Sequence, residues 1–416
     1  MISKWQWRLQ QFARKLWVRA ALIAVFAVAA ALLGLLGERL IPADLPTKIG
    51  ADSVEGILNI LASSMLAVTT FSLSIMVAAY SAATNSVTPR ATKLLMQDPT
   101  TQNVLAVFIG SFLYSLVSIV ALSAGAYGAS GRLVLFVATL AVILLIVVTI
   151  LRWIEHLTRL GRVGETTDRV EESTSRAIRA RAAEPFLGGH PLYDPAKDRP
   201  ATAPAIFSET TGYVQHIDMD GLSRLAERLT GRIFVAAQPG SFVHAVQPLA
   251  YVESALDAEA TAMLREAFVI DNARSFDQDP RFGLSVLAEI ASRALSPALN
   301  DPGTAIDVIG RGVRLLTCWT ACRDADAAQA PTYPRIWVPP LALGDLFDDM
   351  FGPISRDGAA LLEVQTRLQK AYRALAEIGG EAFAAEAQRH SRRALAFAEA
   401  AMTLETDKAL LRDLAL

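Results

Sequence analysis

Few residues in this chain could do chemistry, and their spacing is unhelpful for most known reactions. The five histidines, His156, His190, His216, His244 and His390, contain no pair at the HExxH spacing that seats zinc. Cys318 and Cys322 sit four apart on an expected helix with no Cys or His beside them to complete a tetrahedral site, so two reduced helix thiols are the simpler reading. Neither a phosphate loop ending in Lys-Ser/Thr nor a Gly-x-Ser-x-Gly elbow occurs. Neither a metal nor a cofactor is implied, and the chain is not expected to be an enzyme.

Two polar constellations remain. One is Asp277-Gln278-Asp279-Pro280-Arg281-Phe282-Gly283, with Ser296-Pro297-Ala298-Leu299-Asn300-Asp301-Pro302-Gly303-Thr304-Ala305 downstream. Its carboxylates and amide could gather around a cation or polar ligand at two helix N-termini. Capping is the competing reading: Asp279 and Asp301 each stand before a proline, which is how a helix begins. The other constellation is a stripe. At 100° per residue, Asn59, Ser63, Thr70, Ser74, Ser81 and Asn85 all fall within about 40° of one line down a helix.

That stripe belongs to an element that must lie in lipid. The chain has 416 residues, 52% hydrophobic and only 19% charged, against about 25% charged for an ordinary soluble protein. The excess is concentrated in four apolar runs, 20–37, 57–84, 103–128 and 132–151, each near the length that crosses a hydrocarbon core. The first run is too long for a cleaved leader and ends in Gly37-Glu38-Arg39 without a small-x-small cleavage site, so it reads as a retained anchor. No acid, base or histidine lies in the interior of any run, which argues against a proton relay or ion-coupled pump. Hydroxyl and amide side chains in hydrocarbon need partners, so the stripe must face protein or water. Helix packing and an aqueous path in a homo-oligomer both satisfy that requirement. A weaker stripe, Ser111, Ser115, Ser118 and Gly125, is expected to pack against it.

Lys4, Arg8, Arg14, Lys15, Arg19, Arg90, Lys93, Arg152, Arg159 and Arg162 fall on one side of the four runs, and Arg39, Lys48 and Arg132 on the other. The positive-inside rule then places both termini in the cytoplasm. The net charge of −2 rules out the basic excess of a nucleic-acid binder.

The fold class expected is a membrane α-helical domain (1–151) followed by a cytoplasmic α+β region. Residues 152–205 are a helical extension and linker, with charged spacings that continue the fourth membrane helix to about 183. Residues 206–254 alternate as strands and resemble the small barrel-sandwich of biotinyl and lipoyl domains. No lysine lies between Lys197 and Lys370, so a swinging-arm carrier is excluded and a docking or oligomerisation module is expected. Residues 333–340 suggest a strand. Helices are expected over 282–295, 303–319, 341–352, 357–378 and 381–414 within a helical domain, 255–416.

Thr70-Phe71-Ser72-Leu73, Ser86-Val87-Thr88-Pro89-Arg90, Gly212-Tyr213-Val214-Gln215, Pro239-Gly240-Ser241-Phe242-Val243, Phe282-Gly283-Leu284 and Ala294-Leu295-Ser296-Pro297-Ala298-Leu299-Asn300-Asp301-Pro302 together resemble a bacterial family of predicted membrane proteins catalogued as a domain of unknown function. The resemblance covers nearly the whole chain. It implies four membrane helices and a cytoplasmic domain, and no activity. Two functions stay open: a homo-oligomeric, channel-like protein with a regulatory cytoplasmic domain, or a non-conducting anchor whose cytoplasmic domain binds a protein partner or small ligand.

Overall fold

The computed structural model describes residues 4–13, 15–33, 51–323 and 330–416. The chain divides into two units, one formed by Arg8–Asn85 with Thr92–Glu165, the other by Met1–Trp7 with Ser86–Ala91 and Thr166–Leu416.

The first, membrane unit is built on α1 (Lys4–Ala13), α2 (Leu16–Leu33), α3 (Ala51–Ser86), α4 (Pro89–Met96), α5 (Pro99–Ser123) and α6 (Ala129–Leu157). Among the described residues, three single helices are long and apolar enough to span a membrane: Ser53–Thr84, Pro99–Ser123 and Ser130–Leu157. A fourth span exists only if Lys4–Ala13 and Trp17–Leu32, bent by 72° from one another, are counted together. The end of the first apolar run, 34–37, lies outside the described residues.

Small residues decide which helices come close. Gly110 on α5 faces α2, where an added Cβ would stand 2.8 Å from Cγ2 of Ile23. The closest backbone neighbour of α5 is therefore α2, not α3 as its serine stripe suggested. Ser111, Ser115 and Ser118 are buried. Long side chains instead hold α3 in place: Leu61 and Met65 cluster with Val104, Phe108, Ile146 and Trp153, and Val54 and Leu58 with Tyr114, Leu122 and Leu135.

The expected continuation of the fourth membrane helix is corrected. The helix stops at Leu157, and a new one, α7 (Val163–Ala183), begins after a turn. Gly161 makes that turn with φ of 81°, a conformation glycine adopts without a Cβ penalty. A side chain there would also press on Ala79, whose carbonyl oxygen is 3.1 Å from the Cβ position.

Among the described residues the α/β unit contains eight strands: β1 (His190–Pro191), β2 (Ala205–Phe207), β3 (Gly212–Ile217), β4 (Ile233–Val235), β5 (Phe242–Val243), β6 (Pro248–Val252), β7 (Phe268–Asp271) and β8 (Ile336–Val338). They form two sheets, β1-β8-β4-β6-β2 and β5-β3-β7. The sandwich expected over 206–254 does not close within those residues. The larger sheet is completed by β1 and β8, which pair in parallel, and β8 also runs parallel to β4. In the smaller sheet, β7 pairs antiparallel with β3. A short α8 (Pro195–Asp198) precedes β2, and both sheets share one core with α9 (Met219–Leu229) and α10 (Ala258–Ala267).

The remaining helices are α11 (Pro280–Ala294), α12 (Pro302–Arg323), α13 (Leu343–Asp357), α14 (Leu362–Ile378), α15 (Gly380–Ala401) and α16 (Glu405–Leu414), so the helix expected over 381–414 is two. Phe347, Phe351 and Tyr372 pack at their centre. A polar seam crosses it, in which Ser391 and Gln369 bond both ways through Oγ to Oε1 (2.6 Å) and Nε2 to the Ser391 carbonyl (3.1 Å).

Candidate functional site

Among the described residues of the membrane unit, none covers the stripe on α3. Asn59, Ser63, Thr70, Ser74 and Ser81 are all exposed, while Val54, Leu58, Leu61, Met65, Ser72 and Met76 form the packed face. The Asn85 side chain lies outside the described residues. Three hydroxyls satisfy themselves along the helix: Ser63 donates to the Asn59 carbonyl at 2.9 Å, Thr70 to Leu66 at 2.9 Å and Ser74 to Thr70 at 3.0 Å. Such back-bonding makes a hydroxyl tolerable in an apolar medium. It does nothing for the Asn59 amide, which is exposed.

A second exposed face supplies the comparison. On α6 the outward residues Val137, Leu140, Leu144, Leu145, Val147, Val148 and Leu151 are all aliphatic. Its hydroxyls are buried instead: Thr139 donates to Leu135 at 2.8 Å and Thr149 to Leu145 at 2.7 Å. Exposed Ile60, Leu66, Phe71, Leu73 and Val77 flank the stripe, so α3 carries a polar line within an apolar surface, whereas the exposed face of α6 within its span carries none.

Two polar links in the membrane unit escaped the sequence reading. Ser72, nine residues from Ser63 and so about 180° around the helix from it, accepts a 3.0 Å bond from Nε1 of buried Trp153. At the same end of the unit, Asp98 caps α5, accepting from the Thr101 amide (2.8 Å) and hydroxyl (2.6 Å), while its Oδ2 stands 2.9 Å from Nε2 of His156. Asp98-Pro99 has the cap-plus-proline form of a helix start, but nothing in the sequence points it at a histidine fifty-eight residues on.

The downstream motif separates into two places. Asp279, Phe282 and Gly283 stand at the start of α11; Ser296, Pro297, Asn300, Asp301 and Pro302 follow its other end. Fifteen residues of helix put about 22 Å between the ends, so the two carboxylates do not meet. Among the described residues no group of three or more His, Cys, Asp or Glu side chains could hold a metal ion. Asp301 caps α12, bonding the Thr304 amide (3.1 Å) and hydroxyl (2.6 Å), which hold its carboxyl below the usual range. Asn300 takes the left-handed turn position with φ of 47°, and Ser296 donates to the Arg293 carbonyl. This half of the motif is an exposed connection between two helices.

The upstream half is a buried joint. Asp279 is 2% exposed, caps the Phe282 amide at 3.1 Å and accepts both arms of Arg274, at 2.7 and 3.0 Å. Burial pushes its carboxyl up, against the pull of Arg274. Arg181 of α7, also buried, is lowered to about 10 by desolvation, with the Asp279 charge opposing. The Pro239-Gly240 turn closes over Asp279, and any side chain at Gly240 would strike that carboxylate. Gln278 accepts from the Ile217 amide of β3 at 3.1 Å. Arg274 lies over the Phe282 ring, 5.2 Å from its centroid.

Three chain segments that lead to or from the membrane helices meet at this joint and its helix. Trp7 of α1 stacks on His216 (5.3 Å) and donates Nε1 to Asp277 at 3.1 Å. Ser86–Ala91, which follows α3, buries Val87 and Ala91 and pairs Arg90 with Glu289 of α11. Helix α7 lays Thr174 directly against Gly283.

No solved structure matches the chain. It is 34% identical over 116 residues to an uncharacterized protein of Mycobacterium bovis and, equally, to one of Mycobacterium tuberculosis, covering 26% of this chain. The match takes in 22% of each relative, so the chain spans about a fifth of the length of these curated relatives. The profile of a family described as predicted membrane protein (DUF2254) matches residues 13–374, and over that span this chain belongs to it: a membrane protein of a family whose domain has no known function.

Proposed function

We propose that the protein is a homo-oligomer of the bacterial inner membrane in which the α3 faces of several copies surround a narrow polar path, with the α/β unit in the cytoplasm regulating or assembling it. The observation carrying this reading is the contrast between two exposed surfaces: aliphatic within the span of α6, and on α3 a line of hydroxyl and amide groups among exposed apolar side chains. A polar line that hydrocarbon would penalise and that the described residues of its own unit leave uncovered suits a second copy of the same helix, with uncharged polar rings toward water. The basic residues on one side of the spans favour cytoplasmic termini. Regulation would act through α11 and the turn before it, against which Trp7, Arg90 and Thr174 of three membrane-connecting segments lie. Helix α3 runs without interruption into one of them, so a shift of α11 would reach the stripe through Thr88-Pro89-Arg90.

Purified oligomer reconstituted into liposomes tests the reading by ion flux and single-channel recording. Conductance that falls when Ser63, Thr70 and Ser74 together become leucine supports it. An oligomeric preparation without conductance overturns it and leaves the anchor, whose cytoplasmic unit would hold a partner.

A further inference from the structure

The basic end of the membrane unit contains a cavity of about 440 Å³, and its wall is of two kinds. Lys15, Lys93, Gln97 and Thr101 give it ammonium, amide and hydroxyl groups, while Met76 and Met96 give it a flexible apolar side. Among the described residues no carboxylate lines it; nearby Asp98 is committed to Thr101 and His156. The volume falls in the range of small-ligand sites.

Its depth is set by the helices. Met76 lies toward the end of the span Ser53–Thr84, and Thr101 in the first turn of the span Pro99–Ser123, so the cavity sits where hydrocarbon gives way to headgroups. Phe12 and Trp17, on either side of Lys15, are 43% and 59% exposed, as the aromatic residues of an interfacial belt are. Two cations, no acid and an apolar wall at headgroup depth match an anionic group that carries a hydrocarbon tail.

We propose that this cavity binds the headgroup of an anionic phospholipid, with the phosphodiester between Lys15 and Lys93 and the start of an acyl chain along Met76 and Met96. A free phosphate would satisfy the lysines but leave the methionine wall unused.

Full-length protein in a neutral detergent, exchanged with phosphatidylglycerol or phosphatidylcholine and weighed by native mass spectrometry, tests this. Wild type retains phosphatidylglycerol in preference to phosphatidylcholine, and millimolar inorganic phosphate does not displace it. Near an anionic surface each lysine is worth about fivefold, so Lys15→Gln with Lys93→Gln lowers retention about thirtyfold. Lys197→Gln, on an exposed side chain elsewhere, leaves it unchanged. Should the double variant fail to fold, Met96→Trp decides. Met96 is 58% exposed, so a larger ring is accommodated there, and it fills the cavity with both charges in place. Loss of lipid in that variant supports the site. Undiminished retention in either variant, no preference for the anionic lipid, or displacement by inorganic phosphate overturns it.

Discussion

His390 is a basic side chain placed where it does not act as one. Its ring is 2% exposed, packed 5.4 Å from Phe347 and 6.2 Å from Tyr372. Burial, helped by the positive charge of Arg389 and Arg393 and opposed by Asp348 and Glu386, lowers its pKa to about 4. An unfolded chain takes up this proton near pH 6.5 and the folded one only near 4, so between those values the unfolded state binds more protons. This group's contribution to stability is therefore full above pH 6.5 and is lost as the solution is acidified toward pH 4. By pH 5 the loss is about 2 kcal/mol. Melting of the purified protein at pH 7 and pH 5 checks it: the drop in Tm for wild type exceeds that of His390→Leu, and equal drops would show that the histidine is not the titrating group.

Between elements, α7 and α11 approach closely at Gly283, which has no room for a Cβ beside Thr174. Gly283→Ala is expected to destabilise by about 1–3 kcal/mol through overpacking, with part regained when Thr174 is also made alanine. Thermal unfolding of the two variants measures this; a neutral Gly283→Ala would mean the helices move apart freely. The sequence marked Phe282-Gly283 as unusual and left Asp279 between ligand and cap. It could not show that the space beside Gly283 belongs to a helix more than a hundred residues earlier. The same limit hid the break at Gly161, since charge pairs at helical spacing run on both sides of it. It also hid β1 against β8, a parallel pairing of residues 147 apart. Apolar runs were legible because hydrocarbon thickness acts on contiguous residues. Packing partners were not, because they are chosen by single small residues such as Gly110.

For the whole molecule, the membrane segments and the α/β unit are joined by three stretches of chain, and all three lie against α11 or the turn that starts it. The stripe on α3 was readable in full from its spacing, yet spacing alone could not say whether its own chain covered it. In the structure Asn59, Ser63, Thr70, Ser74 and Ser81 are exposed, a polar line flanked by exposed Ile60, Leu66, Phe71, Leu73 and Val77, where the span of α6 exposes aliphatic side chains. The account stands or falls on what meets that face. Single cysteines, introduced one at a time in a background with Cys318 and Cys322 replaced by serine, locate it in native membranes. A cysteine at Ser63, Thr70 or Ser74 is expected to cross-link between copies and to react with a water-soluble thiol reagent, whereas one at Leu144 on α6 does neither. Stripe cysteines that stay unlinked and unreactive, or that behave like Leu144→Cys, would contradict it.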